Sequence, residues 1–182
     1  CIYCMPADGV TSLCHSDILS LEEIERVVRV AATMGIKRFR LTGGEPLVRK
    51  GAVDLVRAIY ETPGVDDVSL TTNGVLLPKY SEELASAAFA REYSLDTLDP
   101  EQFRYITRRG ELHEAIAGIE AALATGFDPV KVNAVTVRSL GQDFLAFAKM
   151  TIDPPFAYAL YRIYASRRKR WFTWVRMGPR GR

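Results

Sequence analysis

The chain opens with C-I-Y-C, which sets Cys1 and Cys4 three residues apart with Tyr3 between them. Paired thiols at this spacing serve as a redox dithiol, as half of a zinc site or as part of an iron–sulfur site. A redox pair should open a helix just after a strand, and the following M-P-A-D-G is not helix-like. Zinc would need two further ligands. Cys14 and His15 are available, but their adjacency works against joint ligation, and Cys14 reads as an ordinary loop thiol. A second stretch, L-T-G-G-E-P-L over residues 41–47, is sharper. Gly43 and Gly44 allow the backbone to approach a ligand closely, because no Cβ intervenes. Glu45 sets a carboxylate at a strand end, and Pro46 stiffens the loop. A plain tight turn does not require G-G-E-P directly after an apolar strand.

The elements that must position these residues follow a regular rhythm. Ser20 and Glu23 form a capping box for a helix over Leu21–Met34, which Gly35 ends. Phe39 and Leu41 alternate with arginines in a strand over 37–42. A helix over 51–61 and a strand over 67–72 follow. Then come a helix over 81–90, a strand over 91–95 and a short helix from Asp99-Pro100. A helix over 111–125, a strand over 130–137, a helix over 142–150 and a strand near 156–164 complete the order. Strand–helix alternation every ~25–40 residues implies parallel strands joined by helical crossovers. The expected fold class is α/β, as a partial (β/α) TIM-like barrel rather than an open doubly wound sheet. In such folds sites form at the carboxyl ends of strands, so the loops T-G-G-E-P-L, T-T-N-G and S-L-D-T-L-D-P should converge with the cysteines.

The 182 residues suit one domain, and 48% hydrophobic content suffices for a core. No run approaches a membrane span, and no signal-peptide pattern appears at the start. Three cysteines argue against a disulfide scaffold and fit a reducing, cytoplasmic compartment. Net charge is +2, yet residues 162–182 hold eight Lys/Arg and no acid. Residues 1–161 therefore carry 16 basic and 22 acidic residues. The expected division is a barrel domain over 1–161 and a basic, aromatic tail over 162–182. Arginine interleaved with Trp and Phe in the tail suits nucleic acid, but the frayed end of an incomplete reading frame explains it better.

Taken in order, C-I-Y-C-M-P, R-L-T-G-G-E-P-L-V-R-K, L-T-T-N-G-V-L-L, S-L-D-T-L-D-P-E-Q-F, I-T-R-R-G and P-V-K-V-N-A-V resemble the radical S-adenosylmethionine superfamily. Within it they are similar to the GTP 3′,8-cyclase family, over about residues 1–150. The resemblance implies a lyase of molybdenum cofactor biosynthesis with a [4Fe–4S] cluster and S-adenosylmethionine as cofactors. These would generate a 5′-deoxyadenosyl radical that converts GTP to 3′,8-cyclo-7,8-dihydro-GTP. It assigns Cys1 and Cys4 to the cluster. It places Tyr3, the backbone of Gly44, Glu45 and Ser94 around S-adenosylmethionine, and Arg40, Thr71 and Lys131 on GTP. No protein side chain is assigned to catalysis itself. Implied partners are GTP and the downstream enzymes of molybdopterin synthesis; a homodimer is admitted, and nucleic acid and membrane are disfavoured. Arg108 and Arg109 either approach phosphate or flank a helix.

The pattern also departs from the family. The first cysteine of the C-x-x-x-C-x-x-C triplet would lie four residues before Cys1, so the chain is expected to be incomplete there. Two thiolates alone are not expected to hold a stable, site-differentiated cluster. No cysteine follows Cys14, although the family carries a C-terminal three-cysteine site. F-A-R-E-Y-S-L-D is one residue shorter than the family strand, and a one-residue change flips facing side chains. Two other readings stay open: a radical enzyme acting on a peptide, and a small metal- or nucleic-acid-binding protein.

Overall fold

Apolar residues at every second position along the strands, and at helical spacing between them, demand that helices cover one face of a sheet. The computed structural model describes residues 1–4, 9, 13–87, 89–127, 130–150, 152 and 160–165, with backbone alone at 15, 87, 89–91, 138 and 160–165. Strands β1 (Arg38–Leu41), β2 (Asp67–Thr72), β3 (Phe89–Ser94), β4 (Lys131–Thr136) and β5 (Leu160–Ala165) form one sheet. Their order is β1-β2-β3-β4-β5, and every neighbouring pair is parallel. Sequential order without reversal is that of a (β/α) barrel, whereas a doubly wound sheet reverses at a switch point. The fold is thus α/β and barrel-like, as expected.

Helices α1 (Leu21–Thr33), α2 (Ala52–Tyr60), α3 (Leu77–Ala87), α4 (Pro100–Thr107), α5 (Leu112–Ala124) and α6 (Phe144–Met150) are the crossovers and flanking elements. The α1 capping box is present: Glu23 N donates to Ser20 Oγ at 3.2 Å and Ser20 N to Glu23 Oε2 at 2.8 Å. Asp99 caps α4 by accepting from Gln102 N at 2.7 Å. Helix α3 starts four residues before the expected Ser81. Pro78 fits its first turn, where no intrahelical N–H is needed, and burying Leu77 completely draws that turn into the core.

Val56, Ile59, Val68, Leu70, Leu77, Leu84, Tyr93, Leu95, Ile119 and Val132 build the layer between sheet and helices. Helix α5 closes on the loop after β2 through two glycines. A Cβ on Gly118 would lie 2.0 Å from Gly74 O. Gly74 itself has φ +85° and lies against the Ala115 backbone. Neither contact tolerates a side chain, so this close approach explains a glycine inside a helix, where propensity disfavours it. Of the basic segment 162–182, the backbone of 162–165 continues β5, and 166–182 lie outside the described residues.

Candidate functional site

Along β1 to β4, the face of the sheet turned away from the helices is polar. Along β2, Val68, Leu70 and Thr72 are buried toward the helices, which leaves Ser69 and Thr71 on the other face. Arg40 of β1 reaches across that face. Its Nε donates to Ser69 Oγ at 3.3 Å, and its Nη2 pairs with Glu92 Oε1 of β3 at 2.8 Å. Asn133 of β4 donates through Nδ2 to Glu92 Oε2 at 3.2 Å. Register sets Thr71 beside Glu92, Glu92 beside Lys131, and Ser94 beside Asn133. Arg40, Thr71, Lys131 and Ser94 therefore share one face, with Glu92 in the middle of the row.

A bulge makes this arrangement. Leu70 pairs with Ala90, but Thr71 pairs with Glu92, so Arg91 is the extra residue of β3. An unbroken ladder would turn Tyr93 and Leu95 toward the polar face and Glu92 and Ser94 toward the helices. Burying two large side chains stabilises by about 1.5–3 kcal/mol each. One interrupted ladder bond costs about 0.5–1.5 kcal/mol. Packing wins, and Tyr93 and Leu95 are both 1% exposed. The short strand entering S-L-D thus delivers Ser94 to the site face.

The cysteine turn is tied to the sheet's carboxyl end. Cys4 N donates to Cys1 O at 3.2 Å, and Ile2 N donates to Ile106 O at 2.9 Å. Tyr3 Oη donates to Asp96 Oδ2 at 2.6 Å, while Asp96 Oδ1 accepts from Val135 N at 2.8 Å. Gln142 Nε2 then joins Asp96 O (2.7 Å) to Val135 O (2.9 Å). Burial lifts the Asp96 carboxyl above its ordinary value, against the opposing pull of the Tyr3 and Val135 hydrogen bonds. Burial, then the Asp96 contact, pushes the Tyr3 phenol upward. All three cysteines are free thiols. Cys14 is exposed before a 3₁₀ turn at His15–Asp17. Among the described residues no three His, Cys, Asp or Glu side chains gather to hold a metal ion.

Glu45 knots two loops together. Its Oε1 accepts from Leu47 N (3.0 Å) and Thr72 Oγ1 (2.9 Å), and its Oε2 from Asn73 N (2.7 Å). A carboxylate offers about four acceptor positions, so one remains. Gly43 and Gly44 are exposed, neither has positive φ, and among the described residues beyond its chain neighbours a Cβ on either would meet no atom within 4 Å. Among the described residues nothing requires glycine at these positions. Leu21, Ile24, Arg40, Gly43, Gly44 and Glu45 are among the walls of a cleft of about 410 Å³.

Arg108 ends α4 in the left-handed region (φ 64°), and His113 is exposed on α5, so both belong to the helical layer. Glu92, Asp96, Asn133 and Gln142 were not singled out by sequence reasoning. Asp96 and Asn133 lie inside quoted motifs, and an acid two residues beyond Ser94 at a strand end was the available signal. Glu92 gave none, because its facing depends on the bulge.

Comparison with known proteins places the chain in a family. The family model described as the radical SAM superfamily matches residues 1–150. A protein named GTP 3′,8-cyclase from Pelotomaculum thermopropionicum is 52% identical over 157 residues, covering 85% of this chain and 48% of that protein. One of the same name from Petrotoga mobilis is 50% identical over 155 residues, covering 84% and 48%. The chain thus spans about half the length of the curated relatives it matches. The crystal structure of HydG, a maturase of the [FeFe]-hydrogenase, superposes with a TM-score of 0.62 at 18% identity, covering 82% of this chain and 37% of that one. At that identity the likeness shows the fold alone.

Proposed function

Since this chain belongs to the radical S-adenosylmethionine superfamily, we propose that it carries the chemistry of a GTP 3′,8-cyclase, the lyase that makes 3′,8-cyclo-7,8-dihydro-GTP for molybdopterin. The observation that carries this reading is the gathering of Arg40, Thr71 and Lys131 on one polar sheet face whose carboxyl end holds the cysteine turn. Cations and a hydroxyl on that face suit the oxygens of a triphosphate.

The superfamily's [4Fe–4S] cluster and S-adenosylmethionine supply, when bound, a 5′-deoxyadenosyl radical. The residues present fit these groups in part. Cys1 and Cys4 offer two thiolates on one closed turn, with Cys4 exposed, and a site-differentiated cluster takes three. The open Cβ side of Gly43 and Gly44 is space for a cofactor along the backbone. The fourth acceptor position of Glu45 suits an ammonium group. The Tyr3 hydroxyl is committed to Asp96, so Tyr3 would meet S-adenosylmethionine through its backbone, and Ser94 through its exposed hydroxyl. GTP would lie deeper on the face, on Arg40, Thr71 and Lys131.

The division at residue 161, a cytoplasmic location, a homodimer, and supply of product to downstream molybdopterin-synthesis enzymes belong to the same proposal, without nucleic acid or membrane as partners. Among the described residues no helix is long and apolar enough to cross a membrane. Anaerobic iron–sulfur reconstitution of the protein that carries this chain, followed by assay with GTP, tests the activity. 5′-Deoxyadenosine and a cyclised nucleotide should form together. Formation of 5′-deoxyadenosine only with a peptide substrate would transfer the assignment to the peptide-acting reading.

A further inference from the structure

A carboxylate in the centre of a face suited to anions calls for a reason. Glu92 is 5% exposed, and both its oxygens are engaged, by Arg40 and by Asn133. A buried carboxylate is tolerated only when paired and hydrogen-bonded, and such pairs contribute little net stability over apolar packing. The pair is unequal: the Arg40 side chain is 45% exposed and that of Glu92 7%. Arginine offers five N–H donors in a planar fork. Two are used, Nε on Ser69 and one Nη2 hydrogen on Glu92, and both partners lie on the sheet. Among the described residues the other three have no partner, and the side chain is partly exposed. Lys131, next to Glu92 in register, has no ion pair among the described residues.

We propose that Glu92 is a positioning residue of the nucleotide site: with Ser69 it fixes the Arg40 guanidinium on the sheet, so that the three remaining donors meet a substrate phosphate already oriented. Lys131 supplies the uncompensated charge that attracts the anion, and Arg40 supplies geometry. Fixing a long side chain beforehand removes an ordering cost that binding would otherwise carry. The inference rests on the nucleotide reading above.

Calorimetric titration of the 182-residue chain with GTP and with guanosine decides it. Glu92→Gln should weaken GTP binding about tenfold, the scale of one charge-assisted contact, and leave guanosine binding unchanged. The double variant with Arg40→Ala should bind GTP no more weakly than Arg40→Ala alone. Ser69→Ala, which alters no charge, should weaken GTP binding by a smaller factor, and it carries the decision if Glu92→Gln does not fold. GTP binding that is unchanged or tighter in Glu92→Gln, an equal loss for guanosine, or losses that add in the double variant would overturn the inference. Failure of the unaltered chain to bind GTP, or an Arg40→Ala variant that binds it equally well, would overturn the nucleotide reading itself, and this inference with it.

Discussion

The two faces of the sheet are built from alternate residues of the same strands, yet they are organised by different physics. On the helix side, Val68, Leu70, Tyr93, Leu95 and Val132 are packed almost without exposure. Their contribution is non-directional and scales with buried area. On the other side, Arg40, Ser69, Thr71, Glu92, Lys131 and Asn133 stand at defined registers, with four of them joined by hydrogen bonds or an ion pair. These groups add little net stability and much geometry. The core face decides how the strands turn, and the polar face receives its residues as a result. The bulge at Arg91 shows this priority, since the ladder yields there to keep Tyr93 and Leu95 inside.

The sharpest way to break the comparison is to injure the core face. Leu70→Ala should cost about 2–5 kcal/mol, seen as a lower denaturation midpoint with unchanged slope. Gly118→Ala should follow, at about 1–3 kcal/mol, because its Cβ would collide with the Gly74 carbonyl. A Gly118→Ala chain as stable as the parent would show that α5 does not close on the loop as described.

Asp96 lies just beyond the carboxyl end of β3, where it ties the cysteine turn to β4. Asp96→Ala leaves the Tyr3 hydroxyl and the Val135 N–H without their acceptor and should cost about 1–3 kcal/mol. Site-resolved alkylation read by mass spectrometry should show Cys1 reacting faster, with the exposed Cys14, which makes no contact with Asp96 among the described residues, as internal control. On the polar face the balance reverses. Thr71→Val should change stability by no more than about 0.5 kcal/mol while weakening GTP binding measurably. A large loss of stability there would mean that the two faces are not separable.

The smallest effect belongs to the exposed pair Arg104–Glu111, 2.7 Å apart. Arg104 holds the Glu111 carboxyl below its ordinary 4.5. A lowered folded value stabilises above the unfolded value and is lost as pH falls through the lowered one. Arg104→Gln should therefore move the thermal midpoint slightly at neutral pH and not at all once Glu111 is protonated. A midpoint shift persisting under acid would assign the effect to packing rather than charge.

Much of this was legible along the chain. The alternation of strands and helices, the α1 capping box and the start of α4 at Asp99-Pro100 follow from local rules, because apolar period and capping chemistry are read within a few residues. The ordered motifs named Arg40, Thr71, Lys131, Ser94 and the two cysteines without any coordinates. The start of α3 lies at Leu77 rather than at the expected residue 81, because its first turn is drawn into the core by a burial visible only in three dimensions. Glu92 could not be found from its neighbours, since its facing hangs on a register shift against another strand.

By itself, the sequence determined an alternating α/β chain with a thiol pair and a glycine-rich strand end, since propensity, period and capping act locally, while Arg40, Thr71 and Lys131 were named only through the resemblance to a family. Only the tertiary structure decided which side of β3 carries Glu92, that Asp96 holds the cysteine turn, and that Gly118 must be glycine. Each of those depends on contacts between residues distant in sequence, and the competition between core packing and ladder geometry settles them only when the strands meet.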